Sequence, residues 1–294
     1  MIRRYTNPNF ENTDYLGITS HIEFVSGDMT DESSLIHIIR NVRPDEVYNL
    51  AAQSFVGSSW HLAKLTTETN ALGVLYLLNA IKSHNPTARF YQASTSEMFG
   101  SSGNDEPLNE ESPFKPQSPY AASKLYAYWM VNNYKESYGM FCANGILFNH
   151  ESPIRGKEFV TRKITDGVAR IKLSKANELR LGNLDAKRDW GFAGDEVEAM
   201  WMMLQQEEPD NFVVATGESH SVREFVDMAF RHVGLDDWER YIVIDPRFKR
   251  PSDVKALCGD YRKAAHLLGW HPRVSFDDLV HMMVDADLER LSRV

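Results

Sequence analysis

The sequence predicts an α/β fold, a doubly wound parallel sheet with a smaller interleaved lobe. Two observations predict it. Strand and helix signals alternate through the first half of the chain, as in a parallel sheet with helices on both faces. Beyond Asn149 the alternation loosens and helical spacing dominates.

The elements follow in order. "HIEFVSGD" (21–28) reads as a strand ending in a Gly-Asp turn, and "ESSLIHIIRNV" (32–42) has helical spacing. "DEVYNLAA" (45–52) is a strand running into small residues, and "TTETNALGVLYLLNAIKSH" (66–84) reads as one long helix. "ARFYQAST" (88–95) is a buried strand. A helix over 118–139 has clear ends: Ser118 suits the N-cap, Pro119 the first helical position and Gly139 the stop. "FCANGILF" (141–148) is a third apolar strand. Further on, 162–173 and 195–206 read as helices, 179–183 as a short strand, and "NFVVATG" (211–217) as a strand that rejoins the main sheet. "SVREFVDMAFRHVG" and "SFDDLVHMMVDADLERL" are helical. The expected division is 1–150 and 151–294, with 195–217 returning to the first part and a cleft between the two.

Composition narrows the function. The 294 residues can bury a sizeable core, and 43% hydrophobic with 25% charged residues is ordinary for a globular protein. A net charge of -9 argues against a nucleic-acid partner. No apolar run approaches the ~20 residues of a membrane span. Two distant cysteines, Cys142 and Cys258, fit a reduced cytoplasmic chain, and none of the ten histidines has zinc-site spacing.

Two stretches carry chemistry. In "SPYAASK", Tyr120 and Lys124 are spaced i, i+4 and share a face in the first turns of a helix. An ammonium beside a phenol lowers the tyrosine pKa and prepares a general base. The same spacing also occurs on solvated helix faces, so alone it is a weak signal. In "STSEMFG", Ser94 and Glu97 match a capping box, but loop residues follow instead of an apolar helix. The stretch follows a strand, and ligands of open parallel sheets sit beyond the carboxyl ends of strands. Thr95, Ser96 and Glu97 are therefore expected to project where Tyr120 points.

The order of "NLAAQS", a strand with Thr-Ser-Glu, then "SPYAASK" resembles the extended short-chain dehydrogenase/reductases. Within them "YQASTSEMFG", "SPYAASKLYAYW", "GILFNHESP", "FVTRKIT" and "LGNLDAKRDWG" resemble the GDP-mannose 4,6-dehydratases, over essentially the whole chain. The resemblance implies a Rossmann-like NADP-binding domain, a GDP-mannose-binding lobe and a homodimer or homotetramer. It implies that Tyr120, helped by Lys124, takes the proton of the sugar 4-hydroxyl while a hydride moves to NADP+. Glu97 would remove the proton on carbon 5 and help water leave carbon 6, with Thr95 holding the 4-hydroxyl and Ser96 assisting near the leaving group. Cofactor contacts would come from Arg3, Arg4, Asp28, Met29, Leu50, Ala51, Ala52, Gln53, Ser54, His150 and Arg155. GDP-mannose contacts would come from Asn149, Lys163, Arg188, Arg223 and Arg250.

The match has departures. Leu65 stands where a tyrosine is expected and Glu196 where an aromatic is expected. No Gly-x-x-Gly-x-x-Gly occurs, and "MIRRY" resembles the end of the family's second strand. The expectation is therefore an N-terminally incomplete sheet, a natural protein several dozen residues longer, and, if the chain begins at Met1, weak or no NADP+ binding and poor solubility. Two rivals stay open: a non-catalytic homologue that binds GDP-sugar or a partner subunit, and a 4-keto reductase or epimerase. Glu97 argues against the reductase or epimerase, since neither reaction needs a base for dehydration.

Overall fold

The computed structural model describes the backbone of residues 2–3 and residues 10–100, 106–248, 254 and 256–293. The first half contains strands β1 (Ile2–Arg3), β2 (Val25–Ser26), β3 (Glu46–Asn49), β4 (Arg89–Thr95) and β5 (Cys142–Leu147). Its helices are α1 (Glu11–Tyr15), α2 (Glu32–Val42), α3 (Ala63–Thr67), α4 (Gly73–His84) and α5 (Pro119–Tyr138). The second half adds β6 (Asn149–Glu151), β7 (Leu179–Leu181), β8 (Lys187–Arg188), β9 (Trp190–Phe192), β10 (Phe212–Val214), β11 (His220–Ser221) and β12 (Ile242–Ile244). Its helices are α6 (Val160–Lys172), α7 (Ala193–Leu204), α8 (Val222–His232), α9 (Arg262–Leu268) and α10 (Phe276–Ser292).

The main sheet is fully parallel in the order β10-β5-β4-β3. One face packs Leu35, Leu78, Ile81, Phe90 and Val131 from α2, α4, β4 and α5. The other packs Leu147, Met203, Phe212 and Trp270 from β5, α7, β10 and the segment after α9. Cover on both faces buries β4 and β5 almost throughout, polar Gln92, Ser94 and Asn144 included. A separate core joins α6, α8 and α10 through Val168, Phe225, Phe230, Val280 and Met283, with Trp190 of β9 among them.

Helix α5 has the ends its sequence specifies. The Ser118 hydroxyl accepts from Ala121 N at 3.1 Å, Pro119 opens the first turn, and Gly139 closes the helix at φ 63°. Two expectations are corrected. The strand over 21–28 shrinks to Val25–Ser26, whose partner is Ile2–Arg3; among the described residues neither joins the main sheet. Val25 and Ser26 are the residues of this segment that meet a partner strand among the described residues. The helix over 66–84 is interrupted by a π-helical turn at Glu68–Leu72 between α3 and α4. Among the described residues no helix is long and apolar enough to cross a membrane.

A buried ion pair ties the α-helical core together. Arg162 of α6 donates from Nε and Nη2 to Asp287 of α10 at 2.7–2.9 Å, and Thr165 Oγ1 donates to the same carboxylate at 2.7 Å. Nη1 of Arg162 donates to the carbonyls of Pro153 and Arg155 at 2.8 and 2.9 Å, so the pair also holds the loop after β6. Asp287→Ala strands a buried guanidinium. We expect a loss of about 3–5 kcal/mol in denaturant unfolding; a loss within ~1 kcal/mol shows that water or another carboxylate satisfies Arg162.

Candidate active site

The site lies beyond the carboxyl ends of β3, β4 and β5, where three parallel strands stop together. A cavity of about 280 Å³ opens there, lined by Thr95, Ser96, Glu97, Tyr120, Lys124 and Asn149 among others. Thr95 ends β4, and its hydroxyl accepts from Glu97 N at 3.3 Å, which turns the chain into a 3-10 turn at Ser96–Met98. That turn brings three successive polar residues onto the cavity.

Tyr120 and Lys124 reach the same cavity from the first turns of α5. Lys124 is 3% exposed, and its Nζ donates to Ala93 O in β4 at 2.7 Å. Burial lowers its ammonium to about 8. Tyr120 shares a hydrogen bond with Thr95. Its phenol is pushed up to about 12, by burial first, with Thr95 and Arg155 pulling it down and Glu97 pushing it up. The expected depression by Lys124 is therefore corrected. The lysine spends a donor on Ala93, and within the protein's own field burial outweighs every favourable group on the phenol.

The second wall comes from β6 and the loop after it. β6 pairs in parallel with β9, placing His150 opposite Gly191. His150 Nδ1 donates to Phe148 O at 2.9 Å. Arg155 lies 3.0 Å from the Glu151 carboxylate and stacks 3.5 Å over the Phe159 ring. His150, Arg155 and Phe159 all line the cavity.

The loop after β3 alternates. Leu50, Ala52 and Ser54 line the cavity, whereas Ala51 and Gln53 do not. Asn70, inside the π-helical turn, holds Gln53 at both ends: its Oδ1 accepts from Gln53 N at 2.8 Å and its Nδ2 donates to Gln53 O at 3.0 Å. Thr66 Oγ1 donates to the Gln53 side chain at 3.0 Å.

Other residues singled out in the sequence lie away from this cavity. The Asp28 carboxylate accepts from Thr30 N and Oγ1 at 2.9 Å, building the turn before α2, and Met29 is buried in the core. Lys163 Nζ sits 3.5 Å over the Phe248 ring. Arg188 is buried and donates to Lys187 O and Val254 O at 2.8 and 2.7 Å. Arg223 pairs with Asp185 at 3.0 Å on the surface. Arg4 and Arg250 lie outside the described residues, as does the side chain of Arg3. The sequence reading missed Val197 and Met200, which line the cavity from α7, and Phe159. The i, i+3 spacing of Val197 and Met200 was a signal, but it is indistinguishable from ordinary core packing.

The chain is similar to known proteins over most of its length. The model of the GDP-mannose 4,6 dehydratase family matches residues 1–283. GDP-mannose 4,6 dehydratase 1 of Arabidopsis thaliana is 50% identical over 100% of this chain and 83% of its own length. The GDP-mannose 4,6 dehydratase of Homo sapiens is 49% identical over 92% of this chain and 78% of its own. Among solved structures, RMD from Pseudomonas aeruginosa complexed with NADPH superposes with TM-score 0.82 at 25% identity, covering 95% of this chain and 94% of that one. DesIV, a dTDP-glucose 4,6-dehydratase from Streptomyces venezuelae with NAD and TYD bound, superposes with TM-score 0.83 at 25% identity over 96% and 85%. With a Rossmann-like parallel sheet, a Thr-Ser-Glu strand end and a Tyr-x-x-x-Lys helix around one cavity, the chain belongs to the GDP-mannose 4,6 dehydratase family.

Proposed function

We infer that this chain converts GDP-mannose to GDP-4-keto-6-deoxymannose, using NADP, at the cavity bounded by Thr95, Ser96, Glu97, Tyr120 and Lys124. The observation that carries the reading is their convergence at the carboxyl ends of β4 and β5, in a chain of this family. The residues present fit a nicotinamide cofactor. Small residues, Ala52 and Ser54, allow close approach, while Lys124, Tyr120, His150 and Arg155 supply polar contacts around them. The NADPH-bound RMD neighbour supports NADP, while the NAD-bound DesIV neighbour supports the broader class. When bound, this cofactor supplies a cationic ring that accepts the sugar's hydride and gives it back.

The protein's own groups manage protons and position. Thr95 hydrogen-bonds Tyr120 and so aligns the phenol with the sugar 4-hydroxyl. Tyr120 takes that hydroxyl proton; the positive charge of Lys124 favours the phenolate once ligand completes the site. Glu97, on the 3-10 turn beside Thr95, takes the proton from carbon 5 and assists departure of the hydroxyl on carbon 6 as water. Ser96 holds the departing oxygen. Leu50 and Val56 narrow the cavity on its apolar side and limit water.

Tyr120→Phe is expected to abolish the nicotinamide absorbance change on mixing enzyme, NADP+ and GDP-mannose, with turnover down by about 10²–10⁴. Reduced cofactor forming at the parent rate removes Tyr120 from the first step. Glu97→Gln is expected to keep GDP-mannose binding and the first absorbance change, yet lose the 6-deoxy product by a similar factor. Product at the parent rate sinks the assignment of Glu97.

The reading extends to a homodimer or homotetramer. On the outer face of α5, Tyr126 and Trp129 are 40% and 54% exposed, an apolar surface suited to a second copy. Sedimentation at micromolar concentration is expected to give a dimer or larger; a monomer refutes it.

A further inference from the structure

Glu196 lies in the first turn of α7, behind the cavity wall, with its side chain 2% exposed. Its Oε2 stands 3.2 Å from His150 Nδ1, yet has no hydrogen-bond partner among the described residues. The reason is angular. The Nδ1 hydrogen is directed at Phe148 O, 2.9 Å away, so the carboxyl oxygen is close to the ring but off the N–H direction. The Phe148 contact also sets the tautomer, with hydrogen on Nδ1. His150 lines the cavity, and Nε2 is the ring nitrogen left for a ligand.

In water such a pair is ionic, because imidazole is the stronger base. Here the surroundings oppose both charges. The carboxylates of Asp189, Glu151 and Asp195 act on Glu196, with Arg155 as the opposing cation and the buried Tyr91 hydroxyl nearby. Arg155 and Lys124 act on His150. Anions thus gather around the acid and cations around the base. Burial first, then those carboxylates, hold Glu196 well above the usual carboxyl range. Burial first, then the two cations, lower His150 to about 4, although the Phe148 carbonyl favours protonation. Gly191 leaves room for the acid, since a Cβ there would lie 3.1 Å from Glu196 Oε1.

We propose that His150 and Glu196 form an inverted pair: their one shared proton resides on Glu196, and His150 is a neutral imidazole whose Nε2 accepts a hydrogen bond from a hydroxyl or amide N–H of the ligand in the cavity. Glu196 is then a positioning residue acting through His150. The ligand half of the proposal rests on the function inferred above; the protonation half stands without it.

The inversion has a stability signature. A carboxyl whose folded pKa lies above its unfolded value holds its proton in the folded state after the unfolded chain has lost it. Stability therefore falls as pH rises from the unfolded carboxyl range toward the folded pKa. Glu196→Gln removes that titration with little change in shape.

The test combines nitrogen NMR of His150 with thermal unfolding of the full chain and of Glu196→Gln. At neutral pH both proteins are expected to show an unprotonated Nε2. The Tm of the variant relative to the parent is expected to climb, by on the order of 2 °C or more, from about pH 5 to about pH 8. Saturating NADP+ or GDP-mannose is expected to shift the Nε2 resonance toward a hydrogen-bonded acceptor. An imidazolium in the parent that turns neutral in the variant overturns the inversion, as does a Tm difference that shrinks with rising pH. No Nε2 shift with either ligand overturns the acceptor role and leaves the inversion to its own two readouts.

Discussion

Asp189 is the joint on which the arrangement of the site depends. Its buried carboxylate accepts from Thr216 N and Oγ1 at 2.8 and 2.7 Å, from Gly217 N at 3.0 Å and from Gly259 N at 3.1 Å. Its carbonyl accepts from Asn149 N at 3.1 Å. One residue thus fastens the end of β10, the segment before α9 and the start of β6. β10 belongs to the main sheet, while β9, which follows Asp189, carries Trp190 into the α-helical core. The strand that presents His150 is therefore held in register with both. Fit is close as well: a Cβ on Gly259 would stand 2.3 Å from the Ala215 Cβ.

Two buried carboxyls close together show how local donors decide chemistry. Burial leaves Asp189 raised, although hydrogen bonds from Thr216, Gly217 and Gly259 oppose the shift. Glu196 meets the same burial with its Oε2 unpartnered among the described residues. Backbone N–H groups in fixed positions stabilise an anion that a polar side chain at the wrong angle does not. A helix-borne acid and a loop-bound acid at similar depth thus differ in how strongly burial raises them.

Much of this was legible in the sequence. Strands over Arg89–Thr95 and Cys142–Leu147 declared themselves because both of their faces are covered. Ser118, Pro119 and Gly139 marked the ends of α5, since the cap and stop are local chemistry. Spacing alone put Tyr120 and Lys124 on one face. What was illegible came from tertiary placement. Nothing local distinguishes Leu50 and Ala52, which reach the cavity, from Ala51 and Gln53, which do not. The interior position of Arg188 depends on a carbonyl far along the chain, that of Val254. The phenol of Tyr120 is governed by burial, which spacing does not report. The proximity of Glu196 to His150 follows from the pairing of β6 with β9, two strands separated by a whole helix.

The π-helical turn at Glu68–Leu72 bears on how this segment should be compared with others. A turn with one extra residue rotates the helix before it by about 100° relative to the helix after it. Gly73 begins α4 packed against Met29, where a Cβ would meet the Met29 carbonyl at 2.7 Å, while Asn70 one turn earlier grips Gln53. A helical wheel drawn continuously from Ala63 to His84 cannot place both contacts correctly. Two wheels, broken at the turn, can. The extra residue lets one run of chain serve two surfaces, a packed core on one side and the backbone of a ligand loop on the other.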